Sequence, residues 1–137
     1  MTTVAPLDSL APVALAAAEA EVRAYFAAYE QALVAGDVPA MDGWFADDAQ
    51  TVRFGINDEQ WGTEAVRQWR RTAPRVPPGR ELTATDVAVW TPDVAVVTTL
   101  FRYPDSPVLG RQSQTWIRTD LGWRIVHAHV SERPATG

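Results

Sequence analysis

An arginine stands at the centre of a short β-branched and aromatic run, Thr51-Val52-Arg53-Phe54-Gly55. A guanidinium in the middle of a strand points either to bulk water or into a pocket that holds an anion, and a solvated edge strand would carry one equally well. By alternation Arg53 shares a face with Thr51 and opposes Val52 and Phe54. Tyr29 lies on the apolar stripe of a helix, where a phenol needs a partner for its hydroxyl. It would find one at the polar end of a cavity, although packed core tyrosines arise in the same way. His127 and His129, separated by Ala128, fall on one side of a strand. Zinc or non-haem iron would need a third protein ligand beside them, and Glu132 faces the other way, so no metal and no other cofactor is expected. Acid–base work or hydrogen bonding to a ligand suits the two histidines better.

Gln112-Ser113-Gln114 lies in the strand that pairs with the histidine strand across the turn Asp120-Leu121-Gly122. A bulged register, which we prefer, sets Ser113 opposite His129 and Thr115 opposite His127; a tighter one sets the glutamines there. Ser113 and Gln114 therefore join His127 and His129 as candidate substrate-binding residues. Cross-strand hydrogen bonding without any ligand would use the same side chains.

These groups need elements to position them. Strong helix formers run from about Val13 to Ala35, with Val22, Phe26, Tyr29 and Leu33 at spacings of four, three and four. Gly36 ends this helix as a left-handed cap, and Asp37 can cap a short second helix carrying Met41, Trp44 and Phe45. Thr63 can cap a third helix, Glu64 to about Thr72, ahead of a link containing Pro74, Pro77, Pro78 and Gly79. Everything after Arg80 reads as four long strands in a meander. Helices followed by antiparallel strands give an α+β class, N-terminal helices covering one face of a curved sheet and leaving a conical cavity. An apolar outer face would also need cover, most simply by an isologous homodimer.

Composition narrows the chemistry further. The 137 residues suit one domain spanning residues 1–137, with a core over about 13–132. There is no cysteine, so disulfides, thiolate metal sites and cysteine nucleophiles are excluded, which fits a reducing, cytoplasmic setting. All 12 basic residues are arginine, so Schiff-base chemistry and a phosphate-binding loop lysine are excluded as well. A net charge of −5 disfavours nucleic acid and anionic membranes as partners and leaves a small molecule as the expected ligand. The apolar stretch Ala11 to Ala18 is broken by Pro12, too short to span a bilayer and preceded by Asp8, so we expect no leader and no membrane anchor. Signatures for a serine nucleophile, a dinucleotide or a nucleotide phosphate are missing. The pairs Asp47-Asp48 and Asp58-Glu59 read as solvated loops. Arg67, Arg70, Arg71, Arg75 and Arg80 read as an exposed helix face and linker.

Four segments carry a resemblance. Tyr29-Glu30-Gln31-Ala32-Leu33, Thr51-Val52-Arg53-Phe54-Gly55, Gly110-Arg111-Gln112-Ser113-Gln114-Thr115-Trp116 and Gly122-Trp123-Arg124-Ile125-Val126 with His129-Val130-Ser131 make the chain similar to the AtzH-like family, over about residues 15–132. That family belongs to the SnoaL-like, nuclear transport factor 2-like superfamily of cone-shaped α+β proteins. The resemblance implies a small dimeric protein encoded beside amidases, with an amidase as a possible partner, and an activity that turns 1,3-dicarboxyurea into allophanate. It also implies that Tyr29 and Arg53 are catalytic. The sequence departs from the pattern at His127, where a small residue is expected, and at Trp69, where phenylalanine is expected.

The reading is thus a cytosolic amidohydrolase or decarboxylating enzyme for a small carboxylated urea or amide. Two rivals remain: a non-catalytic carboxylate-binding or amidase-accessory module, and an isomerase, cyclase or dehydratase acting on a larger apolar substrate.

Overall fold

The computed structural model describes residues 12–135. The expectation that no leader precedes the first helix falls on residues 1–11, outside those described. Helix α1, Pro12–Ala35, starts on a proline whose missing N–H costs nothing in a first turn, and runs through an alanine-rich segment. Gly36 stops it at φ 69°, a conformation that favours glycine. Asp37 N then donates to Ala32 O at 2.9 Å. Ala18, Val22, Phe26, Tyr29 and Ala32 form the buried stripe, and Glu30 is buried beside them.

Asp37 caps α2, Val38–Gly43, accepting from Ala40 N at 3.1 Å. This helix is shorter than the sequence suggested. Trp44 and Phe45 lie past its end and run alongside Ile125, whose N–H donates to Trp44 O at 2.8 Å. Strand β1, Val52–Phe54, is followed by a short strand that periodicity did not reveal, β2, Glu59–Trp61. Helix α3, Thr63–Thr72, is not capped by Thr63 as expected; Gly62 occupies the cap. The Thr63 hydroxyl instead accepts from Asp48 N at 2.7 Å and lies 2.6 Å from Ala46 O, which ties α3 to the preceding loop.

The expected meander follows as β3, Glu81–Thr91; β4, Val94–Arg102; β5, Val108–Thr119; and β6, Gly122–Pro134. The six strands form one curved sheet in the order β2-β1-β6-β5-β4-β3, antiparallel except where β1 runs parallel to β6. The helices cover its inner face, and Val22, Val66, Val97, Trp116, Trp123 and Ile125 are fully enclosed between the layers. No helix among the described residues is long and apolar enough to cross a membrane.

In β5 a side chain at Gly110 would occupy the space of the Phe101 ring on the neighbouring strand. Gly110→Ala must push that ring out of its place, at an expected cost of about 1–3 kcal/mol. Urea unfolding at constant slope measures it.

The β5–β6 pairing decides which face each candidate residue occupies. Thr119 pairs with Gly122 and Trp116 with Ile125, after which the register shifts so that Thr115 pairs with His127 and Ser113 with His129. The preferred pairing is therefore present, with the bulge at Val126 inside β6 rather than in the turn.

Candidate active site

Between the layers lies a hollow of about 750 Å³. Its wall is built from α1, α2, the β1–β2 turn, the end of α3, the linker after it and the inner faces of β5 and β6. Alternation in β1 turns Arg53 into it, leaving the side chain 13% exposed. The group is held on two sides. Nη1 donates to Asp58 Oδ1 at 2.7 Å and to Gln60 Oε1 at 2.8 Å, and Gln60 Nε2 donates to the same Asp58 oxygen at 2.9 Å. The flat face of the guanidinium rests on the Trp69 indole, with Cζ 3.6 Å from the ring centroid. Nε and Nη2 have no protein partner among the described residues. Burial lowers the pKa of Arg53 from its ordinary value, the Asp58 hydrogen bond and charge and the nearby Tyr29 oppose that shift, and Arg70 adds to it. An arginine so placed keeps its charge across the neutral range.

Tyr29 reaches the same hollow from α1, with its ring edge-on to Phe45 at a centroid distance of 6.1 Å. Its hydroxyl has no protein partner among the described residues. Gln114 comes up from β5, 1% exposed, its Oε1 accepting from Trp116 Nε1 at 3.0 Å. Tyr29, Arg53 and Gln114 thus meet at one cavity.

Three other candidates do not. The β6 bulge puts Ile125 and Ala128 on the inner face together and turns His127 and His129 outward, where both are exposed. Ser113, opposite His129, is exposed on that face too. The histidines stand beside Phe54, with ring centroids 6.1 and 5.6 Å away. The departure at His127 therefore leaves the hollow's shape unaltered, whereas the departure at Trp69 forms the surface on which Arg53 rests. His127 borders a separate concavity of about 830 Å³ whose carboxylates are Asp47, Asp48 and Asp120, exposed loop residues, and Asp42 of α2, which is bound to Arg70. Among the described residues no group of three or more His, Asp and Glu is arranged to hold a metal.

Several charges expected on the surface prove to be structural parts of the site. Arg80 binds Glu30 through Nε at 2.9 Å and Nη2 at 3.0 Å, and donates to the Tyr103 hydroxyl at 3.0 Å. Gln112 Nε2 donates to Glu30 Oε1 at 3.1 Å. Burial lowers the pKa of Arg80, but Glu30 and Tyr103 outweigh it and leave a net upward shift. Arg70, 5% exposed, donates from Nε to Asp42 at 2.9 Å, while its Nη2 is enclosed without an acceptor. Asp58, read from the sequence as a solvated loop acid, is the partner of Arg53. Each partner lies on a different element, and in the sequence only the apolar positions flanking Glu30 and the apolar period of α3 marked these places.

Gly55 closes the turn that holds this pair. A methyl group there would collide with the Asp58 carboxylate and Arg53 Nη1. Gly55→Ala is therefore expected to break the 2.7 Å contact and weaken small-carboxylate binding roughly tenfold, with little loss of stability at a half-exposed turn. Calorimetric titration alongside thermal unfolding separates the two effects.

The AtzH-like family model matches residues 11–135. Among solved structures, the chain is similar to a cystatin-like fold protein from Burkholderia xenovorans, at 44% identity over 86% of this chain and 93% of that one, with a TM-score of 0.83. A protein of unknown function from Pectobacterium atrosepticum is 38% identical over 91% of this chain and 99% of that one, with a TM-score of 0.85. A nuclear transport factor 2-like protein from Pseudomonas putida, 24% identical over 85% and 87% with a TM-score of 0.71, shares the fold. No curated protein matches the chain.

Proposed function

This chain belongs to the AtzH-like family, and from that premise we propose that it is a small enzyme that removes carbon dioxide from a carboxylated urea or amide such as 1,3-dicarboxyurea. The observation that carries the reading is Arg53, fixed in the hollow by Asp58, Gln60 and Trp69 with two nitrogens uncommitted, beside the same space as the free hydroxyl of Tyr29. Losing carbon dioxide from an N-carboxylate breaks the N–C bond and leaves the electron pair on nitrogen, which must take up one proton. Tyr29 is the proton donor, regaining its proton from water, so the net reaction consumes one proton and yields one carbon dioxide and the amide.

The leaving carboxylate becomes neutral, and a tight clamp on it would stabilise the ground state more than the transition state. Arg53 therefore holds the retained carboxylate or carbonyl, where negative charge builds up as the bond breaks. Asp58, the carboxylate beside Arg53, is committed to that guanidinium, and the other carboxylate bordering the hollow, Glu132, is exposed near the end of β6. The groups next to Arg53 therefore supply donors, which favours proton donation to nitrogen over deprotonation of an attacking water.

The proposal includes a cytoplasmic homodimer closed over the outer sheet face, where Trp61 stands 65% exposed, and an amidase acting on the product. The test follows 1,3-dicarboxyurea and carbon dioxide against the spontaneous background. Acceleration that Tyr29→Phe abolishes supports the reading, and loss at the background rate overturns it.

A further inference from the structure

The strand register sets Arg53 and Gln114 in one row across the inner face. Arg53 pairs with Ala128 on β6, and Ala128 pairs in turn with Gln114 on β5. Adjacent strands are about 4.8 Å apart, so the two polar residues flank a gap of two strand spacings filled only by a methyl group. All three residues border the hollow.

The orientation of Gln114 is dictated from behind. The Trp116 indole is a donor only, and its Nε1 lies 3.0 Å from Gln114 Oε1. A flipped carboxamide would set donor against donor beside a fully buried tryptophan. Gln114 therefore presents Nε2, which has no protein partner among the described residues, at the far side of the Ala128 gap. One side of the gap is a fixed cation and the other a fixed neutral donor.

We infer that Gln114, locked by Trp116, is a specificity-determining residue: the site takes a small acid whose carboxylate lies on Arg53 and whose carbonyl oxygen, reaching over Ala128, accepts from Gln114 Nε2. The class is that of ureido and amido acids, and a chain lacking the acceptor leaves a buried donor unpaired. This inference rests on the reading above in taking Arg53 as the carboxylate anchor.

Two stable probes test it by calorimetry on the full chain. N-carbamoylglycinate carries a carboxylate and a urea carbonyl, and pentanoate matches its length without the acceptor. The wild type is expected to bind the first at least about tenfold more tightly, the worth of one buried hydrogen bond. Gln114→Leu should bring the ratio to about one, and Trp116→Phe should lower it without touching the ligand. Gln114→Glu keeps an acceptor for Trp116, which guards against misfolding of the leucine variant, and should also collapse the ratio. Arg53→Gln should weaken both probes.

A ratio that survives both Gln114 substitutions overturns the inference, and the functional reading then stands if Arg53→Gln still weakens both probes. If neither probe binds the wild type, or if Arg53→Gln leaves binding unaltered, the inference and that reading fall together.

Discussion

Arg53→Ala is expected to lower turnover of 1,3-dicarboxyurea by roughly 100-fold or more, the usual consequence of removing a preorganised donor worth about 2.7–4 kcal/mol in the barrier. The fold should persist. Arg53 is on a three-residue strand, and its partner Asp58, 36% exposed at the side chain, can be solvated when left alone. The loss should appear in kcat as well as kcat/KM, because the interaction strengthens as charge develops. Arg53→Lys should rescue little, since an ammonium can neither bridge Asp58, Gln60 and a ligand as a planar fork nor lie flat on the Trp69 indole. A fall of less than about fivefold in kcat/KM, under 1 kcal/mol, would remove Arg53 from the chemistry.

Glu30→Ala should have the largest effect on stability, about 3–5 kcal/mol, because it leaves the Arg80 guanidinium buried without its carboxylate. The Arg80 and Glu30 side chains are only 4% and 10% exposed, and the buried Gln112 amide loses its acceptor as well. For a domain of this size the melting temperature should fall by on the order of 10 °C. The double variant Glu30→Leu with Arg80→Met should recover much of that loss, since an apolar pair carries no desolvation penalty. A double-mutant cycle measures the coupling directly, and a coupling near zero would mean that the pair behaves as a surface contact. The upward shift of Arg80 means that the stability it contributes is complete below its unfolded-state value and lost only as pH rises through the still higher folded value. Stability should therefore show no step from this group near neutrality.

The two substitutions test parts of the molecule that differed in legibility. Tyr29 could be placed from the sequence because the spacing of Val22, Phe26 and Tyr29 fixes one stripe of a helix, and Gly36 fixes where it stops. Alternation set Arg53 on the face opposite Val52 and Phe54, which held because β1 is short and free of bulges, but left pocket and water equally open, and only the family resemblance pointed the side chain inward. Alternation also set His127 and His129 together on one face, as observed, but could not say which face: the bulge at Val126 turns both outward, and nothing in Ile125-Val126-His127 fixes its place. Trp116 did contain a clue. A large aromatic two residues after Gln114 and four after Gln112 marks their face as the inner one and sends Ser113 outward.

The sequence by itself settled what depends on near neighbours: the helical stripe, the glycine stop, the four-strand meander, the α+β class and the exclusion of thiol and lysine chemistry. Tertiary structure alone decided which face of β6 meets the helices and which charges find partners. Arg70 reaches Asp42 across 28 positions, Arg80 reaches Glu30 across 50, and Gln112 reaches Glu30 across 82. Local periodicity repeats over two or four residues and carries no information about contacts at such separations. They form because a buried charge must be neutralised by whatever opposite charge the packed layers bring to it.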